Sequence, residues 1–110
     1  MPKKIVIDRD FSHCPGGRYR AHGEKSGEEF RDEFLAPSLK QNDRVEVVLD
    51  GTEGYASSFL EEAFGGLVRV VGFAKSELGR RLSIRAEDPA FAIYKRLAER
   101  YIEEATPSAA

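Results

Sequence analysis

Apolar positions in this chain follow two rhythms, and the places where the rhythm changes outline the elements. Lys4-Ile5-Val6-Ile7-Asp8 is a short β-branched run with charge on either side, which predicts a first strand. Arg44 to Asp50 carries the strongest strand signal, with Val45, Val47, Val48 and Leu49 around a single Glu46 and an Asp50-Gly51 close. Such a run suits a central strand covered on both faces. Arg81-Leu82-Ser83-Ile84-Arg85 alternates polar and apolar, as a half-covered strand near a sheet edge does. A brief further strand is expected at Arg18-Tyr19-Arg20, inside a stretch otherwise broken by Pro15-Gly16-Gly17 and Gly23.

Between the strands the period lengthens to that of a helix. Ser26-Gly27-Glu28-Glu29 has the form of a capping box, and Phe30, Phe34, Leu35 and Leu39 follow at helical spacing. Pro37 predicts a kink or an early stop there. Ser58-Phe59-Leu60-Glu61 reads as a second capping box, opening a core helix with Phe59, Leu60, Ala63, Phe64, Leu67 and Val68 on one broad apolar face. Gly65 and Gly66 each cost about 1 kcal/mol against alanine inside a helix. Either the helix stops at Phe64 and Leu67 to Phe73 is a strand, or the glycines let the helix press closely on a neighbour. The second reading is preferred, because Leu67 and Val68 keep the phase of Leu60 and Phe64. Asp88-Pro89 supplies a cap and a first-turn proline for a last helix striped by Phe91, Tyr94, Leu97, Ala98, Tyr101 and Ile102. Residues 106–110 are small, polar and proline-broken, and are expected to fray as a disordered tail after a single domain over residues 1–105.

Strands alternating with helices predict an α/β layer arrangement, in which the functional place is the carboxyl end of a central strand where a loop enters a helix. Here that place is Asp50 to Ser58. With 41% hydrophobic and 33% charged residues the chain is neither oily enough for a membrane protein nor polar enough for disorder. A formal net charge of −2 with both signs scattered gives no field that would draw it to nucleic acid or to an anionic membrane. No signal segment is recognisable, so a cytoplasmic location is expected. Cys14 alone forms no internal disulfide, and with His13 and His22 it has no zinc spacing, so no metal and no cofactor are expected.

The stretch Val45 to Leu60, with Asp50-Gly51-Thr52-Glu53-Gly54-Tyr55-Ala56-Ser57-Ser58, resembles the strand, acidic turn and helix start of STAS domains, the modules of sulfate transporters and anti-sigma factor antagonists. More closely, Gly16-Gly17-Arg18-Tyr19, Gly23, Ser26-Gly27-Glu28 and Ser57-Ser58-Phe59-Leu60-Glu61-Glu62-Ala63-Phe64-Gly65-Gly66-Leu67 resemble a STAS-like family without an assigned function. The resemblance implies a mixed, mostly parallel four-stranded sheet with about three helices. It also implies a regulatory, non-catalytic module that binds a protein partner through Gly54, Tyr55, Ser57, Ser58 and Phe59, with Ser57 aligned to the serine that a GHKL-type ATPase kinase phosphorylates. Ala56 stands where regulatory STAS domains have an aspartate, and Phe59 where they have a glycine.

The alternative expectation is a small-anion or nucleotide site. Arg18, Arg20, Lys25, Ser26 and Gly27 lie beside glycines at a helix start, where backbone N–H groups and the helix dipole favour negative charge. An ordinary solvated loop explains the same residues. His13 beside Cys14 lacks a third orienting group, and the pairs Glu28-Glu29 and Glu61-Glu62 are accounted for by helix starts, so no catalytic residue is assigned.

Overall fold

The computed structural model describes residues 2–107. Three strands, β1 (Lys3–Val6), β2 (Val45–Val48) and β3 (Leu82–Arg85), lie in the order β1-β2-β3 and are parallel throughout. The register places Lys3 beside Val45 and Val45 beside Leu82. Five helices accompany them. α1 (Ile7–Asp10) leaves β1 directly. α2 is a continuous run of three parts, Gly27–Phe30, the π turn Arg31–Leu35 and Ala36–Gln41. α3 likewise joins Ser57–Leu60 to the π segments Glu61–Gly65 and Leu67–Val71. α4 is Lys75–Arg81, and α5 is Ala92–Glu104, entered through a 3-10 turn at Pro89–Phe91.

The sheet and helix counts correct the expected four strands and three helices. Arg18-Tyr19-Arg20 is not a strand, because its backbone turns to α2 and not to the sheet. The Arg18 carbonyl accepts the Glu28 N–H at 3.0 Å, and the Arg20 N–H donates to the Glu28 carboxylate at 3.0 Å. The central place of β2 is as expected, but only one of its faces is covered. Val45 and Val47 are buried with Ile5 and Ile84 under the helices, whereas Glu46 and Val48 are half-buried beside exposed Lys4, Ser83 and Arg85. That second face is open, and Arg85 bridges to Glu46 across it at 2.9 Å.

Local sequence explains most helix boundaries. Ser26 Oγ accepts the Glu29 N–H at 3.1 Å and the Glu29 carboxylate accepts the Lys25 N–H at 3.1 Å, which completes the box that opens α2. Pro37 neither stops nor shortens this helix. It follows the π turn, whose wider register moves the preceding carbonyls away from the proline ring, and the helix ends at Asn42, whose side-chain amide donates to the Ser38 carbonyl at 2.9 Å. Asp88 caps the last helical run by accepting the Ala90 N–H at 2.9 Å. The second capping box does not form: α3 starts one residue early, with Ala56 in the cap position and no side-chain cap, and Glu61 turns elsewhere.

Gly65 and Gly66 are helical, and each lies where a neighbour comes close. A Cβ on Gly65 would lie 3.3 Å from the Tyr101 carbonyl of α5, and one on Gly66 would lie 2.5 Å from Arg31 Nη1 of α2. Gly27 meets the Phe59 carbonyl in the same way, so Gly27 and Gly65 let α3 approach the backbones of its neighbours α2 and α5, while Gly66 makes room for the Arg31 side chain. Around them Phe11, Phe30, Phe34, Phe59 and Phe64 make one aromatic cluster. Thr106 and Pro107 have no regular structure, and the rest of the expected tail, residues 108–110, lies outside the described residues.

Candidate functional site

The exit of β2 makes a sharp corner that the core holds from below. Gly51 and Gly54 have φ of 94° and 120°, the left-handed side that favours glycine. A Cβ on Gly54 would also lie 2.9 Å from the Tyr94 hydroxyl, so the corner rests against α5. Tyr55 is the anchor. It is 8% exposed, its hydroxyl donates to the Leu49 carbonyl at 2.7 Å, and its ring packs on Phe59, Tyr94 and Phe91 at centroid distances of 5.6, 5.2 and 6.4 Å. Burial raises the Tyr55 pKa well above the ordinary phenol value, so the group stays a donor.

This anchoring divides the five corner residues into two groups. Tyr55 and Phe59 face the core, so they fix the corner and do not present themselves to a partner. Ser57 is exposed as the first residue of α3, Ser58 is half-buried behind it, and Gly54 is half-buried on the approach. Among the described residues none forms a hydrogen bond with either serine hydroxyl. The Ala56 carbonyl accepts the N–H of Phe59 and Leu60, at 3.1 and 3.3 Å, which leaves the N–H groups of Ser57 and Ser58 at the head of the helix facing outward.

The flank of the corner holds a pair that spacing alone did not single out. His13 Nδ1 lies 2.5 Å from Asp8 Oδ1, and the His13 carbonyl accepts the Glu53 N–H at 2.9 Å, tying the exit of β1 to the exit of β2. The hydrogen bond to Asp8 raises the His13 pKa. Cys14, beside it, is exposed, and a hydrogen bond with Glu53 raises its pKa, which keeps the thiol protonated. The clue in the sequence was an aspartate at the end of a β-branched run with a histidine five residues on.

The basic loop has a different occupation. Its ends are closed by Gly16 N–H donating to the Lys25 carbonyl at 2.7 Å, with Lys25 at φ 57°. The Gly17 and Arg18 carbonyls accept the first N–H groups of α2, those of Gly27 and Glu28, at 2.9 and 3.0 Å. Ser26 is fully buried in its capping role, and Gly27 is sealed against Phe59. Arg20 pairs with Glu33 at 3.0 Å, and the Lys25 ammonium lies 5.2 Å over the Phe11 ring. The charges and donors that were to cradle an anion are thus engaged with the protein itself.

Arg18 belongs to a larger ionic network. It bonds to Glu61 and lies 3.2 Å from Glu62, while Arg69 grips Glu61 at 2.7 Å. Arg31, 3% exposed, meets Glu62, equally buried, at 2.5 Å. Glu61 and Glu62 therefore serve as acceptors for three arginines, not as helix caps. Partial burial opposes ionisation of Glu61, but hydrogen bonds from Arg69 and Arg18 outweigh it and hold its pKa below the usual range. No group of His, Cys, Asp and Glu suited to a metal ion occurs among the described residues. No helix among them is long and apolar enough to cross a membrane.

The matched family runs through this whole unit, from the buried cap at Ser26 through β2, the corner and α3 to the turn before α5. A family model described as a STAS-like domain of unknown function (DUF4325) covers residues 26–90. No curated protein and no solved structure matches the chain. With more than half of its length matched, and with a parallel α/β sheet whose central strand delivers the serine corner, the chain belongs to the STAS-like domain family of unknown function.

Proposed function

We propose that this domain is a regulatory module that binds a protein partner through the Gly54–Ser58 corner, acts by binding and not by catalysis, and is switched by phosphorylation of Ser57 by a GHKL-type ATPase. The observation that carries this reading is the state of Ser57: an exposed hydroxyl without a hydrogen-bond partner among the described residues, on a corner that Tyr55 and Phe59 lock to the core. A kinase can reach such a group without unfolding anything. A phosphate there adds a charge of about −1.5 to −2 at a helix start, which favours anions by roughly 0.3–1 kcal/mol. Glu53, exposed on the same corner, opposes that gain, so the fold changes little. A like-charge clash with a docked partner costs several kcal/mol, so the switch acts on the complex.

The test is co-expression with GHKL-type ATPases of the source organism, followed by intact-mass measurement and a binding titration. The expected result is one added phosphate, retained in Ser58→Ala, absent in Ser57→Ala, and a tenfold or greater change in partner affinity for Ser57→Asp. A phosphate that persists in Ser57→Ala, or no phosphate on the wild type, rules the switch out.

A further inference from the structure

The two edges of the sheet are treated differently. Lys3 donates to the Arg44 carbonyl beside β2, so by alternation Lys4 and Val6 point their backbone groups outward. The outward N–H of Val6 is taken by the Asp10 carboxylate at 2.8 Å, and Lys3 and Lys4 add charge, which blocks that edge. At the other edge the Arg85 carbonyl accepts the Leu49 N–H, so Leu82 and Ile84 point outward from β3. The Leu82 N–H closes α4 on the Leu78 carbonyl. The Leu82 carbonyl and both backbone groups of Ile84 have no hydrogen-bond partner among the described residues, although Ile84 as a whole is only 5% exposed. A row of unpaired backbone groups along a strand edge is a ready template for a further strand.

A groove of about 550 Å³ runs along this edge, with Leu78, Leu82, Ile84 and Ile102 forming its apolar floor. Gly79 borders it, and a Cβ there would meet nothing within 4 Å, so the space is open at that point of α4. The far wall carries Glu99 and Glu103, exposed carboxylates that enter no ion pair among the described residues; the one cation lining the groove, Lys75, gives its ammonium to the Glu103 backbone carbonyl. We infer that the β3 edge is a second docking surface, which takes an extended segment of a partner protein as a fourth strand, with apolar side chains in the groove and a lysine or arginine reaching Glu99 and Glu103. Pairing by a second copy is disfavoured, since antiparallel β3 strands centred on Ser83 would set Arg81 against Arg85 of the other copy.

The probe is a synthetic peptide, Thr-Lys-Thr-Val-Thr-Val-Thr-Lys-Thr, with a control in which both lysines are glutamate, read by amide hydrogen exchange of Ile84. The lysine peptide is expected to slow that amide roughly tenfold at ten times its dissociation constant, and the glutamate peptide to leave it unchanged. Gly79→Phe should abolish the protection with the circular dichroism intact. The double reversal Glu99→Lys with Glu103→Lys, both on the surface, should exchange the preference for the two peptides even where Gly79→Phe does not fold. Four results overturn the inference: a slow Ile84 amide in the free chain, equal protection by both peptides, no protection by either, or protection that grows with protein concentration alone, which would mean a second copy. None of these bears on Ser57, so the corner's role is judged separately.

Discussion

Alanine in place of glycine in a helix ought to stabilise, and this chain offers two helical glycines where the same substitution should have opposite signs. Gly79 in α4 faces open space, so Gly79→Ala is expected to gain about 0.5–1 kcal/mol from helix propensity and a stiffer unfolded chain. Gly66 in α3 has helical backbone angles, φ −63° and ψ −21°, so alanine meets no conformational barrier there. Its Cβ, however, would stand 2.5 Å from Arg31 Nη1 and 3.1 Å from Arg31 Cδ. Arg31 cannot swing aside cheaply: it is 3% exposed and holds the Glu62 carboxylate, the Glu62 carbonyl and Asp32. Overpacking costs about 1–3 kcal/mol, and expelling one member of a buried ion pair about 3–5. After the propensity gain, Gly66→Ala should lose about 2–4 kcal/mol, a large part of a small domain's margin. Urea unfolding of both variants measures this directly: the midpoint falls for Gly66→Ala and rises for Gly79→Ala, with the slope unchanged in each. A Gly66→Ala chain as stable as the wild type would show that Arg31 moves freely and that the buried network does not fix the approach of α2 to α3.

Three further outcomes follow from the corner and its surroundings. Tyr55→Phe keeps the ring packing but leaves the buried Leu49 carbonyl without its donor, and should cost about 1–3 kcal/mol; chemical denaturation reads it, and a neutral result would mean that water replaces the hydroxyl. Asp8 raises the His13 pKa, so the pair's contribution is fully present below the ordinary imidazole pKa and is lost as pH rises through the raised one. An NMR titration of the His13 ring should show that raised value, and Asp8→Asn should bring it back toward the ordinary one; an unchanged titration in the variant refutes the pairing. Asp88→Ala removes the cap before α5 and should cost about 1 kcal/mol in thermal unfolding, with no loss expected only if Pro89 alone holds the start.

What the sequence disclosed was whatever depends on near neighbours. Ser26 and Glu29, Asp88 and Pro89, and the β-branched run of β2 act over a few residues, and each was legible. The phase of Leu67 and Val68 told correctly that Gly65 and Gly66 sit inside a helix. The readings that failed turned on distant partners. Glu61 looked like the far end of a capping box with Ser58, but Arg18 and Arg69 claim it, the first from 43 residues away. Arg18-Tyr19-Arg20 has an extended look, yet a strand needs an adjacent ladder, and α2 supplied the hydrogen bonds first. The bare second face of β2 is not legible in its run, because Val48 suggests an apolar cover that no helix among the described residues provides. α4 is not legible in the apolar pattern, since Leu78 is its one buried residue and Gly79 beside it faces open space.

The parallel order of the sheet also governs how the chain can reach this state. No two neighbouring strands are joined by a hairpin: Lys3 must find Val45, and Val45 must find Leu82. Such distant pairings close large loops before they return any stabilisation, so the domain is expected to fold on the slow side for its size, in milliseconds to seconds. During synthesis the helices α2 and α3 leave the ribosome before β3 exists, and the sheet is completed only when Arg85 has emerged.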